Sequence, residues 1–147
     1  MSSINIINDY TSFNQFNAKT LEHLTEMIFN SENREYSSIN FIITDDEYLS
    51  RFKKKYFNQN VYTDVMTFNL ENSNEPIEGE IYVSMDRIFS NAKVYQKSLD
   101  EEVKRVMIHG ILHLIGYNDD TKKKKENMTL LENKYISSLY NKALILK

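Results

Sequence analysis

The stretch H-G-I-L-H-L-I-G-Y-N-D-D, His109 to Asp120, sets two of the chain's three histidines at a helical interval. Residues four apart on an α-helix differ by about 400° of rotation, so His109 and His113 leave one face roughly 6 Å apart at Cβ and can grip a single ion. Gly116 follows, and glycine tolerates the left-handed conformation that ends a helix. The chain can turn back there and bring Tyr117, Asn118 and Asp119 beneath the same ion. The pattern is H-x3-H-x5-D, with Asp120 as the neighbouring candidate if the loop slips by one residue. Two histidines on an apolar helix can also be half-buried core residues bonded to carbonyls. The conjunction of H-x3-H, a helix-stopping glycine and an acid at the right distance favours a metal site.

The same pattern resembles the metzincin protease signature H-E-x-x-H-x-x-G-x-x-H, with two differences. The general-base glutamate after the first histidine is replaced by Gly110, and Asp119 stands where the third histidine falls. Protease chemistry is therefore not expected. One zinc ion per chain is the expected occupant. Mn, Fe or Co would also be accepted, because Asp119 hardens the ligand set and makes it one charge more negative than three imidazoles. A glycine beside the first ligand suggests open space where something large approaches the ion; close packing against a neighbouring element is the alternative.

At 147 residues the chain reads as one domain, 1–147, long enough to bury about two-thirds of the surface it exposes when unfolded. The absence of cysteine excludes disulfides and thiolate ligands and suits a reducing cytoplasm. The N-terminus M-S-S-I-N-I-I-N-D-Y lacks the features of a signal peptide, and no apolar run approaches a membrane span, so a cytoplasmic location without membrane attachment is expected. The net charge of −3 gives no overall attraction to nucleic acid, which would have to be met by a local basic patch. Lys53 to Lys55 reads as a solvated helix face. Lys122 to Lys125 begins just after the metal loop and reads either as such a face or as a clamp for phosphates.

Periodicity predicts a strand at Ile4 to Ile7, a helix from about Phe13 to Phe29, a strand within Ser38 to Thr44 and a polar helix from Asp46 to about Phe57. A strand is expected over Tyr62 to Leu70, then a loop holding the single proline, Pro76, then a strand from Glu80 to Met85. A helix entered at Ser84 or Ser90 reaches about Gln96. Ser98 and Glu101 form an S-x-x-E capping box that opens the histidine helix. A last helix from about Lys122 to Leu144 carries Met128, Leu131, Tyr135 and Leu139 on a core-facing stripe. The expected fold class is α+β: a mixed sheet of about four strands packed with helices, its metal site on a helix in the C-terminal half.

Three segments carry a more specific resemblance: Thr63-Asp64-Val65-Met66-Thr67-Phe68, Gly79-Glu80-Ile81-Tyr82-Val83-Ser84, and His109 through Asp119. They resemble T-D-V-L-S-F, G-D-I-x-I-S and H-G-x-L-H-L-x-G-Y-D-H of the YbeY family, bacterial rRNA-maturation factors described as metal-dependent endoribonucleases. The resemblance runs from roughly Thr44 to Glu132. It implies that His109, His113 and Asp119 bind zinc beside a cleft for RNA, and that Thr63 and Asp64 are catalytic. For these two, as for Glu80, local hydrogen bonding at a strand end is the alternative. The family's arginine six residues before T-D-V is Phe57 here; Arg51 and Lys53 to Lys55 lie near but not at the matching position. Arg87 and Lys93 read as surface charges.

The activity so implied is single-strand-specific, metal-dependent RNA cleavage in rRNA maturation, including 16S rRNA 3′-end processing, and in ribosome quality control. Its implied partners are single-stranded RNA, the small ribosomal subunit and a ribosome-associated GTPase. No general base is evident, and attack by the ribose 2′-OH or by water both stand open. A non-catalytic, metal-stabilised ribosome-assembly factor is the main alternative, although three visible ligands rather than four favour an open site. A 2-His-1-carboxylate iron oxygenase matches in ligand type but usually holds its ligands on a β-barrel.

Overall fold

The structure is a computed structural model that describes residues 2–10, 16–57, 64–139 and 141–145. Its elements are β1 (Ser3–Asn8), α1 (Ala18–Ser31), β2 (Tyr36–Thr44), α2 (Asp46–Phe57), β3 (Val65–Asn69), β4 (Ile77–Ser84), α3 (Met85–Val94), α4 (Leu99–Ile115) and α5 (Lys122–Ser138). The four strands form one mixed sheet in the order β1-β2-β4-β3. The β1/β2 and β2/β4 pairs are parallel and β3/β4 is antiparallel. A parallel pair needs a long crossover, which α1 supplies for the first pair and the α2–β3 segment for the second.

Side chains alternate between the faces of a strand, and the two faces of this sheet are covered differently. Ile39, Phe41 and Ile43 of β2 and Ile77, Ile81 and Val83 of β4 are buried in one cluster with Leu21, Leu24 and Ile28 of α1 and Met107, Ile111 and Leu114 of α4. On the other face, Phe52 of α2 packs against Phe68 and Tyr82, with ring centroids 5.4 and 5.2 Å away. The histidine helix thus lies on β3 and β4, and α5 packs along it.

Gly110 is part of that packing. A Cβ at this position would fall 2.8 Å from Ile81 Cγ2 and 3.3 Å from Val65 Cγ2. The glycine lets α4 lie close on β3 and β4, which corrects the expectation that it opens space for a large group at the ion.

Several boundaries differ from those the periodicity predicts, each for a local reason. α1 starts at Ala18 because Asn17 caps it, its side chain accepting from Thr20 N at 3.2 Å. Phe16 forms a bridge with Ile145 instead of entering the helix. α5 ends at Ser138 rather than Leu144, since Asp100 Oδ1 accepts from the backbone N–H groups of Leu144 and Ile145 at 2.7 and 2.9 Å. Ser84, not Ser90, caps α3 by accepting from Arg87 N at 3.2 Å. Among the described residues no helix is long and apolar enough to cross a membrane.

Candidate metal centre

The cap at Ser98, which accepts from Glu101 N at 3.1 Å, sets the start of α4. Its end is set by Gly116, at φ 122°, whose N–H donates to the carbonyls of Leu112 and His113. Between these points His109 and His113 present Nε2 atoms 2.9 Å apart. The turn after Gly116 brings Asp119 Oδ2 to 3.3 Å from His109 Nε2 and Oδ1 to 3.7 Å from His113 Nε2. These three residues are the group, among the described residues, whose ligand atoms converge within 4.8 Å. Ligand atoms on a tetrahedral ion with bonds of about 2.0–2.2 Å stand about 3.3–3.6 Å apart, so the donor set fits one ion of that size. Asp120 points elsewhere and pairs with Lys124 Nζ at 3.2 Å.

Two further tethers hold the turn. Glu32, just past the end of α1, accepts from Tyr117 OH at 2.5 Å and from Tyr135 OH at 2.6 Å. Arg34 Nη1 donates to Ile115 O, the last residue of α4, at 2.9 Å.

Behind the histidines, the Nδ1 of His109 lies 2.6 Å from Oε2 of the buried Glu132 on α5. Arg105 Nη1 donates to the other oxygen of Glu132 at 3.0 Å, and its Nη2 to Asn133 Oδ1 at 2.8 Å. A carboxylate on Nδ1 assigns the proton there and turns the Nε2 lone pair toward the ion position. Burial alone would lower the His109 pKa, but the bond to Glu132 and its charge, with Asp64 and Asp119 adding, raise it. His113 is lowered, by burial and by the neighbouring His109. Burial raises the Asp64 carboxyl against the opposing pull of His109. Glu102 is raised to about 7, by burial and then by Asp64.

A cleft of ≈ 270 Å³ opens beside this group, lined in part by Asp64, Glu102, Arg105, His109, Asp119 and Lys125. Asp64 lines this cleft, tied by its carbonyl to Ser84 N at 2.9 Å, whereas Thr63 falls outside the described residues. Of the second lysine run, Lys125 lines the cleft. Lys53 to Lys55 and Arg51 sit on α2, which covers the opposite face of the sheet, and Arg51 pairs with Glu47 at 3.8 Å. Glu80 accepts from Tyr82 OH at 3.2 Å, and Arg87, read as a surface charge, bonds Asp46 Oδ2 at 3.0 Å through Nε. Glu132, Arg105 and Glu102 are site residues that sequence reasoning missed. A signal for Glu132 was present: it is an acid set between Met128 and Tyr135 on the core-facing stripe of α5.

Fold and site together define an α+β protein whose candidate metal centre combines two histidines of a sheet-packed helix with a carboxylate from the loop that follows. The family model described as Endoribonuclease YbeY matches residues 4–140, and the chain belongs to this family of endoribonucleases. It is 38% identical over 132 residues to the Endoribonuclease YbeY of Amoebophilus asiaticus, covering 84% of this chain and 90% of the relative. It is 39% identical over 140 residues to that of Karelsulcia muelleri, covering 93% and 98%. The solution structure of TM1509 from Thermotoga maritima superposes with a TM-score of 0.61 at 25% identity, covering 95% of this chain and 92% of that one.

Proposed function

We propose that the protein is a metal-dependent endoribonuclease that cuts single-stranded RNA, the whole chain acting as one domain. The observation that carries this reading is the convergence of His109, His113 and Asp119 at the wall of an open cleft, in a chain of this family. These three residues would hold one zinc ion, with Mn, Fe or Co as the other candidates. Such an ion supplies Lewis acidity for a phosphoryl oxygen and acidifies water.

The chain's own residues divide the remaining work. Glu132 takes the Nδ1 proton of His109 in a hydrogen bond and keeps Nε2 aimed at the ligand position. The family reading gives Thr63 and Asp64 catalytic roles, and of these Asp64 lines the cleft. Lys125 brings positive charge to the cleft for backbone phosphates. The family reading further assigns the protein to the cytoplasm and to rRNA maturation, 16S 3′-end processing included, with the small ribosomal subunit and a ribosome-associated GTPase as partners.

A purely structural metal would be closed by four protein ligands, so three ligands facing a cleft do not favour the non-catalytic assembly reading. The test is cleavage of matched single- and double-stranded RNAs by zinc-loaded protein, with His109→Ala and His113→Ala as controls. Cutting of the single strand that disappears in both variants is expected. Stoichiometric metal without any cutting would defeat the proposal.

A further inference from the structure

Glu102 lies seven residues before His109 on α4, so the two side chains leave the same face about 10 Å apart along the axis. Its residue is only 4% exposed, and its carboxylate lines the cleft. Among the described residues no side chain or backbone group hydrogen-bonds to it, the nearest charges being Asp64, Arg105, Glu132 and Glu101. Arg105, the one cation of these, turns its guanidinium to Glu132 and Asn133 instead. Among the described residues no fully buried side-chain oxygen lacks a partner, so the Glu102 oxygens open on the cleft, where a ligand that brings donors can reach them. That ligand is not a second cation, because among the described residues His109, His113 and Asp119 alone converge as a possible metal group.

The same cleft is lined by Tyr95, at the end of α3 and 62% exposed, and by Asn91 one turn before it. An exposed aromatic ring in a cleft that also offers polar groups is how proteins hold an unstacked base of single-stranded RNA. Of the four bases, guanine alone places two adjacent donors, N1–H and the N2 amino group, on its Watson–Crick edge. Adenine and cytosine set an amino donor beside an acceptor nitrogen, and uracil sets one donor between two acceptors. Two carboxylate oxygens match the guanine edge.

We infer that the cleft is a guanine pocket, in which the Glu102 carboxylate accepts from N1–H and N2–H of a base lying against Tyr95. The inference rests on the nuclease reading for the source of its ligand and adds to it the nucleotide held beside the cut. About 10 Å along α4 from the candidate metal centre is a distance on the scale of one nucleotide.

Binding of the four ribonucleoside 5′-monophosphates to the full-length, zinc-loaded protein, followed by NMR titration, tests the pocket. Guanosine monophosphate should bind about tenfold or more tighter than the other three. Glu102→Gln, which keeps the shape and replaces one acceptor by a donor, should abolish that preference, and Tyr95→Ala should weaken all four nucleotides alike. Glu102→Ala serves as the second variant, with metal content and thermal melting measured for each. Equal binding of the four nucleotides, binding of none, or a guanine preference that survives in both Glu102 variants would overturn the inference. RNA cleavage by the same wild-type sample separates the two readings. Guanine-selective binding without cleavage leaves the pocket standing and defeats the nuclease; cleavage without selective binding does the reverse.

Discussion

His109 Nδ1 and Glu132 Oε2 stand 2.6 Å apart, across the interface between α4 and α5. The contact joins residues 23 apart in sequence and makes the packing of these helices part of the candidate metal centre. It also spends Glu132 on two partners, since Arg105 holds the other oxygen at 3.0 Å.

Glu132→Gln should therefore weaken metal binding without removing a ligand. Loss of a carboxylate behind a ligating histidine typically costs about 10–100-fold in affinity. Competition with a chromogenic chelator measures it, and an affinity equal to wild type would mean that Glu132 serves only the packing of α5.

Asp119→Ala should lose the metal, whereas Asp120→Ala should retain it, because Asp120 is turned to Lys124. Asp119→His should keep one ion per chain by restoring a three-imidazole set. Metal content after gel filtration reads all three. The opposite result for the two alanine variants would move the ligand register by one residue.

The Glu102 carboxyl, at about 7 instead of 4.5, keeps a proton in the folded protein that the unfolded chain has already released between those values. Its contribution to stability is full below about pH 4.5 and is lost as the pH rises to about 7, by up to about 3 kcal/mol at 1.36 kcal/mol per pKa unit. Asp64 and Glu132 from neighbouring elements, and Glu101 and Arg105 from α4 itself, are the charges that act on it. His109, also raised, works in the same direction. Denaturant titrations of metal-free protein at pH 5 and pH 8 should show the loss, and Glu102→Gln should reduce it. An equal loss in the variant would assign the pH dependence to other groups.

Gly110→Ala should destabilise the fold by about 1–3 kcal/mol, the usual cost of overpacking, because its methyl would stand 2.8 Å from Ile81 Cγ2. Ile81→Val, which keeps that Cγ2 but removes the Cδ1 that lies 3.4 Å away, should recover only part of the loss. Thermal melting reads both, and an unchanged midpoint in Gly110→Ala would show that α4 can lift off the sheet at little cost.

The sequence by itself determined what depends on neighbours along the chain. The 3.6-residue repeat puts His109 and His113 on one face, and Gly116 is the residue able to adopt φ 122°, so that an acid shortly after it can return to the histidines; that Asp119 rather than Asp120 does so belongs to the turn that Glu32 and Arg34 tether. The capping signal at Ser98 and the alternation in the strands are local in the same way. Only the tertiary structure decided what depends on how elements pack. Glu102 is an acid on a helix, indistinguishable by spacing from a solvated one until the elements pack and leave it 4% exposed, and the place of Glu132 on the stripe of α5 does not say that its carboxylate meets His109. Gly110 had two readings until Ile81 was found where its side chain would be. The end of α5 moved because Asp100 of α4 holds the backbone of Leu144 and Ile145, and no periodicity within α5 encodes that contact.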